Sequence, residues 1–156
     1  MRKITQADIK TLFEQANYSH RKRAHLNLHA SFDDKVQRLY IALLKGSYVE
    51  PHYHVLAHQW EMFIVQSGVL KVTLHNKDGS VISSCLVGDE QDIQAIEFKP
   101  GDVHSVECIS EHALMLEIKE GPFIEKYAKT LINEKNYRSW YRICWISYWY
   151  LFRRNW

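Results

Sequence analysis

The chain has 156 residues, 46% of them hydrophobic, enough for one globular domain with a real core. Its formal charge of +2 is uneven: residues 135–156 hold five Lys and Arg and no acid, which leaves the rest of the chain at −3. That mildly acidic body argues against nucleic acid as a partner, and no run of roughly 18 apolar residues is available to span a membrane.

The polar start MRKITQADIK carries no signal-peptide pattern, and Cys85, Cys108 and Cys144 are odd in number and far apart. Free thiols in a reducing cytoplasm are expected, not a disulfide framework. Thr5-Gln6-Ala7-Asp8 resembles a capping box with Asp in the Glu/Gln place. Ile9, Leu12, Phe13 and Ala16 follow at helical spacing, which predicts a short amphipathic helix over 6–16, packed outside the main sheet.

Residues 20–29, HRKRAHLNLH, place Arg21, Arg23, His25, Asn27 and His29 on one strand parity. A solvated edge strand and an anion-binding face both fit, the second because guanidinium matches carboxylate and phosphate bidentately. Strands are then predicted at 36–44, 62–65, 69–75, 81–87 and 93–98, with two more in HSVECIS and ALMLEIK. Asn76-Lys77-Asp78-Gly79 signals a hairpin, and Gly121-Pro122 ends the regular sheet. Eight or nine short strands with tight turns predict an all-β antiparallel barrel or jelly roll. The expected division is a helical segment at 1–20, a barrel at 21–130 and an aromatic-rich tail at 131–156.

The tail holds four of the five Trp residues. A helix docked on the barrel or an aberrant end is favoured there over an interfacial membrane helix.

The chemistry concentrates in Gly46–Gly68, GSYVEPHYHVLAHQWEMFIVQSG. His52 and His54, two apart, face one side of an extended strand, and Glu61 follows. Pro100-Gly101-Asp102-Val103-His104 brings a third imidazole. Three imidazoles and a carboxylate suit zinc, iron, manganese or nickel.

The order and spacing of these two halves resemble the two-part signature of the cupin superfamily. The resemblance implies a cupin double-stranded β-helix, a jelly-roll barrel with a short N-terminal α-helix. It also implies one divalent ion per barrel, held by His52, His54, Glu61 and His104. The six residues between His54 and Glu61 exceed the usual three or four, so His58 and Gln59 are alternates for Glu61. Cys108 stands where the family often has Asn, as a group behind the ligands or a small buried hydrophobe.

Over residues 1 to about 130 the chain is further similar to WbuC-type cupin-fold metalloproteins. The similarity runs through RKRAHLNLH, QRLYIALLKGSYVEPHYH, HQWEMFIV, FKPGDVHSVEC and ALMLEIKEGPF. It implies a place near bacterial surface-polysaccharide (O-antigen) synthesis and leaves the reaction open; the first reading of the site is a metal-dependent isomerase or epimerase on a sugar or nucleotide-sugar intermediate. An Fe(II)-type oxygenase and a non-catalytic, metal-dependent small-ligand module are the alternatives. Arg21, Arg23 and Arg38 are candidate substrate-binding groups, and His25 and His29 candidate acid–base catalysts. The expected partners are a small sugar-like or anionic ligand and a second copy in a homodimer, with no nucleic acid.

Overall fold

Alternation of apolar and polar side chains gives this chain strands that bury one face, and two sheets that bury those faces against each other. The computed structural model describes residues 1–132. The expectations for the aromatic tail, including Cys144, lie outside the described residues.

Helix α1 spans Gln6–Tyr18, and the strands are β1 (Arg23–Asn27), β2 (Val36–Leu44), β3 (Tyr48–Tyr53), β4 (Glu61–Ser67) and β5 (Val69–His75). They continue as β6 (Val81–Gly88), β7 (Ala95–Phe98), β8 (Val103–Cys108), β9 (His112–Glu120) and β10 (Thr130–Leu131). One five-stranded sheet has the order β1-β2-β9-β4-β7 and the other β10-β3-β8-β5-β6, with antiparallel pairing in both. Neighbours so far apart in sequence require crossovers between the sheets. The result is a cupin double-stranded β-helix, a jelly roll with one short N-terminal helix.

The core lies between the sheets, where Ile41, Leu43, Phe63, Val65, Leu70, Val72, Val106 and Met115 interdigitate. Helix α1 begins at the capping box read from the sequence, with Asp8 N–H donating to Thr5 Oγ1 and Thr5 N–H to Asp8 Oδ2. It buries Leu12 and Ala16 against Ala42 and Leu114 on the outer face of the first sheet. Gly68, between β4 and β5, adopts φ +76°, and a Cβ there would stand 2.2 Å from the carbonyl oxygen of His112. Only glycine fits that corner. Among the described residues no helix is long and apolar enough to cross a membrane.

Candidate metal centre

A cavity of about 460 Å³ is lined by residues of both sheets. Edge strand β1 and the segment leading into edge strand β10 both line it. Its lining includes His52, His54 and Glu61, and the fully buried His104 lies directly behind, against Glu61.

His52 on β3 and His104 on β8 are direct cross-strand partners. His54 lies one residue past β3, and its carbonyl accepts the Gly101 N–H at 3.0 Å, which ties the first motif to the turn that launches β8. Glu61 opens β4 in the opposite sheet. Donor atoms of His52, His54 and Glu61 all lie within 4.8 Å of one another. His104 Nε2 stands 3.1 Å from Glu61 Oε2, the same oxygen that lies 3.1 Å from His54 Nε2. All four side chains are buried, His104 completely. Phe98 stacks on the His104 ring at a centroid distance of 3.9 Å and fixes its plane.

The hydrogen bonds test whether a cation fits. His52 Nδ1 lies 2.8 Å from the Glu50 carbonyl and His104 Nδ1 lies 3.1 Å from that of Asp102. A carbonyl accepts only, so each Nδ1 carries the ring proton and each Nε2 presents a lone pair. His104 Nε2 then faces a carboxylate oxygen, acceptor against acceptor, buried and without a hydrogen-bond partner. A cation shared between them removes that conflict, and the backbone carbonyls behind His52 and His104 are the usual support of a metal-binding histidine, which His54 Nδ1 lacks among the described residues. Burial first, and the neighbouring His104 second, push the His52 imidazole down to about 3, so the ring is neutral and free to ligate. The donor set therefore fits a divalent ion. Three imidazoles and one carboxylate would leave a position open on an ion that takes five or six ligands.

A second carboxylate and a lysine complete the wall. Glu117 and Lys119 on β9 line the cavity, with Lys119 Nζ 2.5 Å from Glu117 Oε1 and 3.6 Å from Glu61 Oε1. Gln37, Lys119 and Glu61 form one cross-strand row, and Leu39, Glu117 and Phe63 the next. Burial opposes the charge on Glu61, and the Lys119 ammonium beside it favours that charge. Burial raises Glu117. Burial also works against the Lys119 ammonium, and Glu117 and Glu61 more than offset it.

His25 and His29 also line the cavity, as do Arg21 and Arg23. Loss of water around the His25 ring, then Arg23, Lys119 and Arg21, push it down to about 4. His29 Nδ1 is occupied by the Arg38 backbone, and its Nε2 is buried without a partner.

Three sequence expectations are corrected. Arg38 does not line the cavity, because β2 turns Gln37, Leu39, Ile41 and Leu43 inward and Arg38 is exposed. His58 is exposed in the turn before β4 and is no alternate ligand, since Glu61 itself reaches the imidazoles. Gln59 is not overturned as an alternate: it is buried, with its Oε1 lacking a hydrogen-bond partner among the described residues. Cys108 faces the apolar core, its Sγ 3.4 Å from the Ser110 carbonyl, and so is the small buried hydrophobe and not a group behind the ligands.

The family described as "Domain of unknown function (DUF6016)" matches residues 4–87, more than half of the chain. The chain belongs to this family. The DUF6016 match contains His52, His54 and Glu61 and ends before His104, Glu117 and Lys119. No curated protein matches the chain.

Among solved structures, the capsular polysaccharide assembling protein CapF from Staphylococcus aureus is similar with a TM-score of 0.60 at 16% identity, covering 74% of this chain and 33% of CapF. Oxalate oxidase in complex with the substrate analogue glycolate gives a TM-score of 0.56 at 14% identity, covering 73% and 57%. Procruciferin, an 11S globulin from Brassica napus, gives 0.52 at 16%, covering 64% and 26%. The chain spans less than two thirds of the length of each of these structures. At such identities they share its fold.

The sequence reading missed Glu117, Lys119 and Lys129, which all line the cavity. In ALMLEIK the residues Leu114, Leu116 and Ile118 form a clean apolar face, which ordinary alternation assigns to the core. Here Leu114 packs under α1 on the outside, and the polar parity faces the site. The charges at 117 and 119, two apart like the histidines, were the only signal.

Proposed function

We propose that this protein is a metal-dependent cupin that acts on a sugar or nucleotide-sugar intermediate of surface-polysaccharide (O-antigen) synthesis, as an isomerase or epimerase. The observation that carries the reading is the meeting of His52, His54 and His104 with Glu61 at the inner end of an open cavity. The stretches similar to WbuC-type proteins support the pathway, and a neighbour of the same fold is titled a capsular polysaccharide assembling protein. A bound divalent ion would supply Lewis-acid polarisation of a carbonyl or hydroxyl oxygen.

The chain's own residues would do the rest. The β1 parity of Arg21, Arg23, His25 and Asn27 faces the ligand, with Arg21 and Arg23 to hold an anionic group. His25 and His29 are the proposed proton-transfer groups. His25, neutral at pH 7, is suited to accept a proton, and His29 has only Nε2 left to offer. Homodimerisation belongs to the same proposal, supported by the exposed Val81, Ile82 and Leu86 on edge strand β6.

The test is turnover of a panel of nucleotide sugars and sugar phosphates by metal-loaded protein, followed by proton NMR in deuterated water. The reading expects deuterium incorporation or epimerisation that chelation and His52→Ala both abolish. Turnover that consumes oxygen would replace it with the oxygenase, and full turnover after chelation would overturn it.

A further inference from the structure

The metal-centred reading uses the inner end of the cavity and leaves its mouth unexplained. Arg21 and Arg23 reach the mouth from the β1 side of one sheet, and Lys129 from the segment that enters β10 in the other. None of the three is in an ion pair among the described residues. Among the described residues, Arg23 donates to the backbone carbonyl of Tyr48, at 2.8 Å. The two carboxylates in the cavity are engaged elsewhere, by Lys119. Three cations therefore line one cavity from two sheets, and among the described residues Glu50, outside the lining and in no ion pair with them, is the single carboxylate that acts on Arg23 and Lys129.

We propose that Arg21, Arg23 and Lys129 form a phosphate clamp, and that the ligand is a small phosphorylated molecule held by its phosphate at the cavity mouth. Three positive charges match a phosphomonoester, which carries about −1.5 to −2 at neutral pH, better than they match a monocarboxylate. The arginine forks supply paired donors to its oxygens, and the lysine a point charge from the opposite side. Burial first, and then repulsion from the neighbouring cations, hold both Arg23 and Lys129 below their ordinary values, against the pull of the Glu50 carboxylate. Phe32 and Phe123, 5.1 Å apart between ring centroids, offer an apolar wall of the same cavity to the rest of the ligand. The clamp stands on its own, whereas the placing of the ligand's other end at His52, His54 and Glu61 rests on the metal-centred reading.

Calorimetric titration of the full chain with glucose 1-phosphate, and with acetate as the control anion, tests the clamp. It is run on metal-stripped and metal-loaded protein whose metal content is measured in the same samples. Glucose 1-phosphate binds both forms, acetate binds neither measurably, and Arg23→Met and Lys129→Met each weaken binding by about tenfold or more while metal content is unchanged. Lys129→Arg restores binding, which separates loss of charge from loss of structure. Binding confined to metal-loaded protein and indifferent to Lys129→Met would place the anion on the ion and overturn the clamp, leaving the metal reading intact. Clamp binding by protein that takes up no metal would do the reverse.

Discussion

Replacing Lys119 by Met removes the cation that two buried carboxylates share. Its ammonium stands 2.5 Å from Glu117 Oε1 and 3.6 Å from Glu61 Oε1, and all three side chains are largely buried, at 15%, 10% and 3% exposure. At an effective dielectric constant of about 20, those separations correspond to gross attractions of roughly 7 and 5 kcal/mol. Desolvation consumes much of this, since each buried ion costs several kcal/mol before it finds a partner. Removing one partner exposes that cost, and measured cases of this kind lose about 3–5 kcal/mol. Lys119→Met is therefore expected to destabilise metal-free protein at pH 7 by about that amount, a drop of about 2 M in the urea midpoint. Lys119→Met combined with Glu117→Gln should recover most of the loss, because the stranded charge is gone. The assay is urea unfolding followed by circular dichroism. A loss under about 0.5 kcal/mol, the range of ordinary surface substitutions, would refute the reasoning. So would a double variant no more stable than the single one.

Gly68→Ala forces a Cβ to within 2.2 Å of the His112 carbonyl at φ +76°, and is expected to cost about 2 kcal/mol or more in the same assay. Leu12→Ala empties the contact between α1 and the first sheet, where Leu12 is 2% exposed. A loss of about 2–4 kcal/mol in one cooperative transition would show that the N-terminal segment folds with the barrel, and a separate early transition would show that it does not. His25 has its folded value at about 4, below the ordinary 6.5, so the unfolded chain binds this proton first as pH falls. Stability is therefore lost between pH 6.5 and 4. The stability gap between wild type and His25→Gln should shift in the variant's favour from pH 7.5 to 5, whereas a gap independent of pH would contradict the assignment.

Much of the fold was legible because its strands obey a period of two. VLKVTLH at 69–75 and VQRLYIALL at 36–44 match β5 and β2 to the residue, and the Asn76–Gly79 turn joins β5 to β6 as its residues demand. Helix α1 runs two residues past the predicted end, to Tyr18, where no glycine or proline stops it. The two-residue β10 was not legible, since so short a strand has no periodicity. Within the site, His52 and His54 share a direction even though only His52 lies in the strand and the β3–β8 register shifts just before it. Strand parity alone therefore does not account for their convergence; the Gly101–His54 backbone bond helps fix it. Parity also argues against Arg38, which alternates out of phase with Gln37 and Leu39. Lys129 escaped notice because nothing local distinguishes it. It reaches the cavity through the pairing of β10 with β3, a contact between residues far apart in sequence.

Everything chemical here depends on the donors converging on an ion, and metal content tests that most directly. Protein purified without added metal, then saturated with Zn²⁺ or Fe²⁺ and dialysed, is predicted to hold about one divalent ion per chain by elemental analysis. His52→Ala and His104→Ala should retain far less under the same treatment. Wild-type protein that emerges with no stoichiometric metal, or alanine variants that bind as much as wild type, would contradict the account.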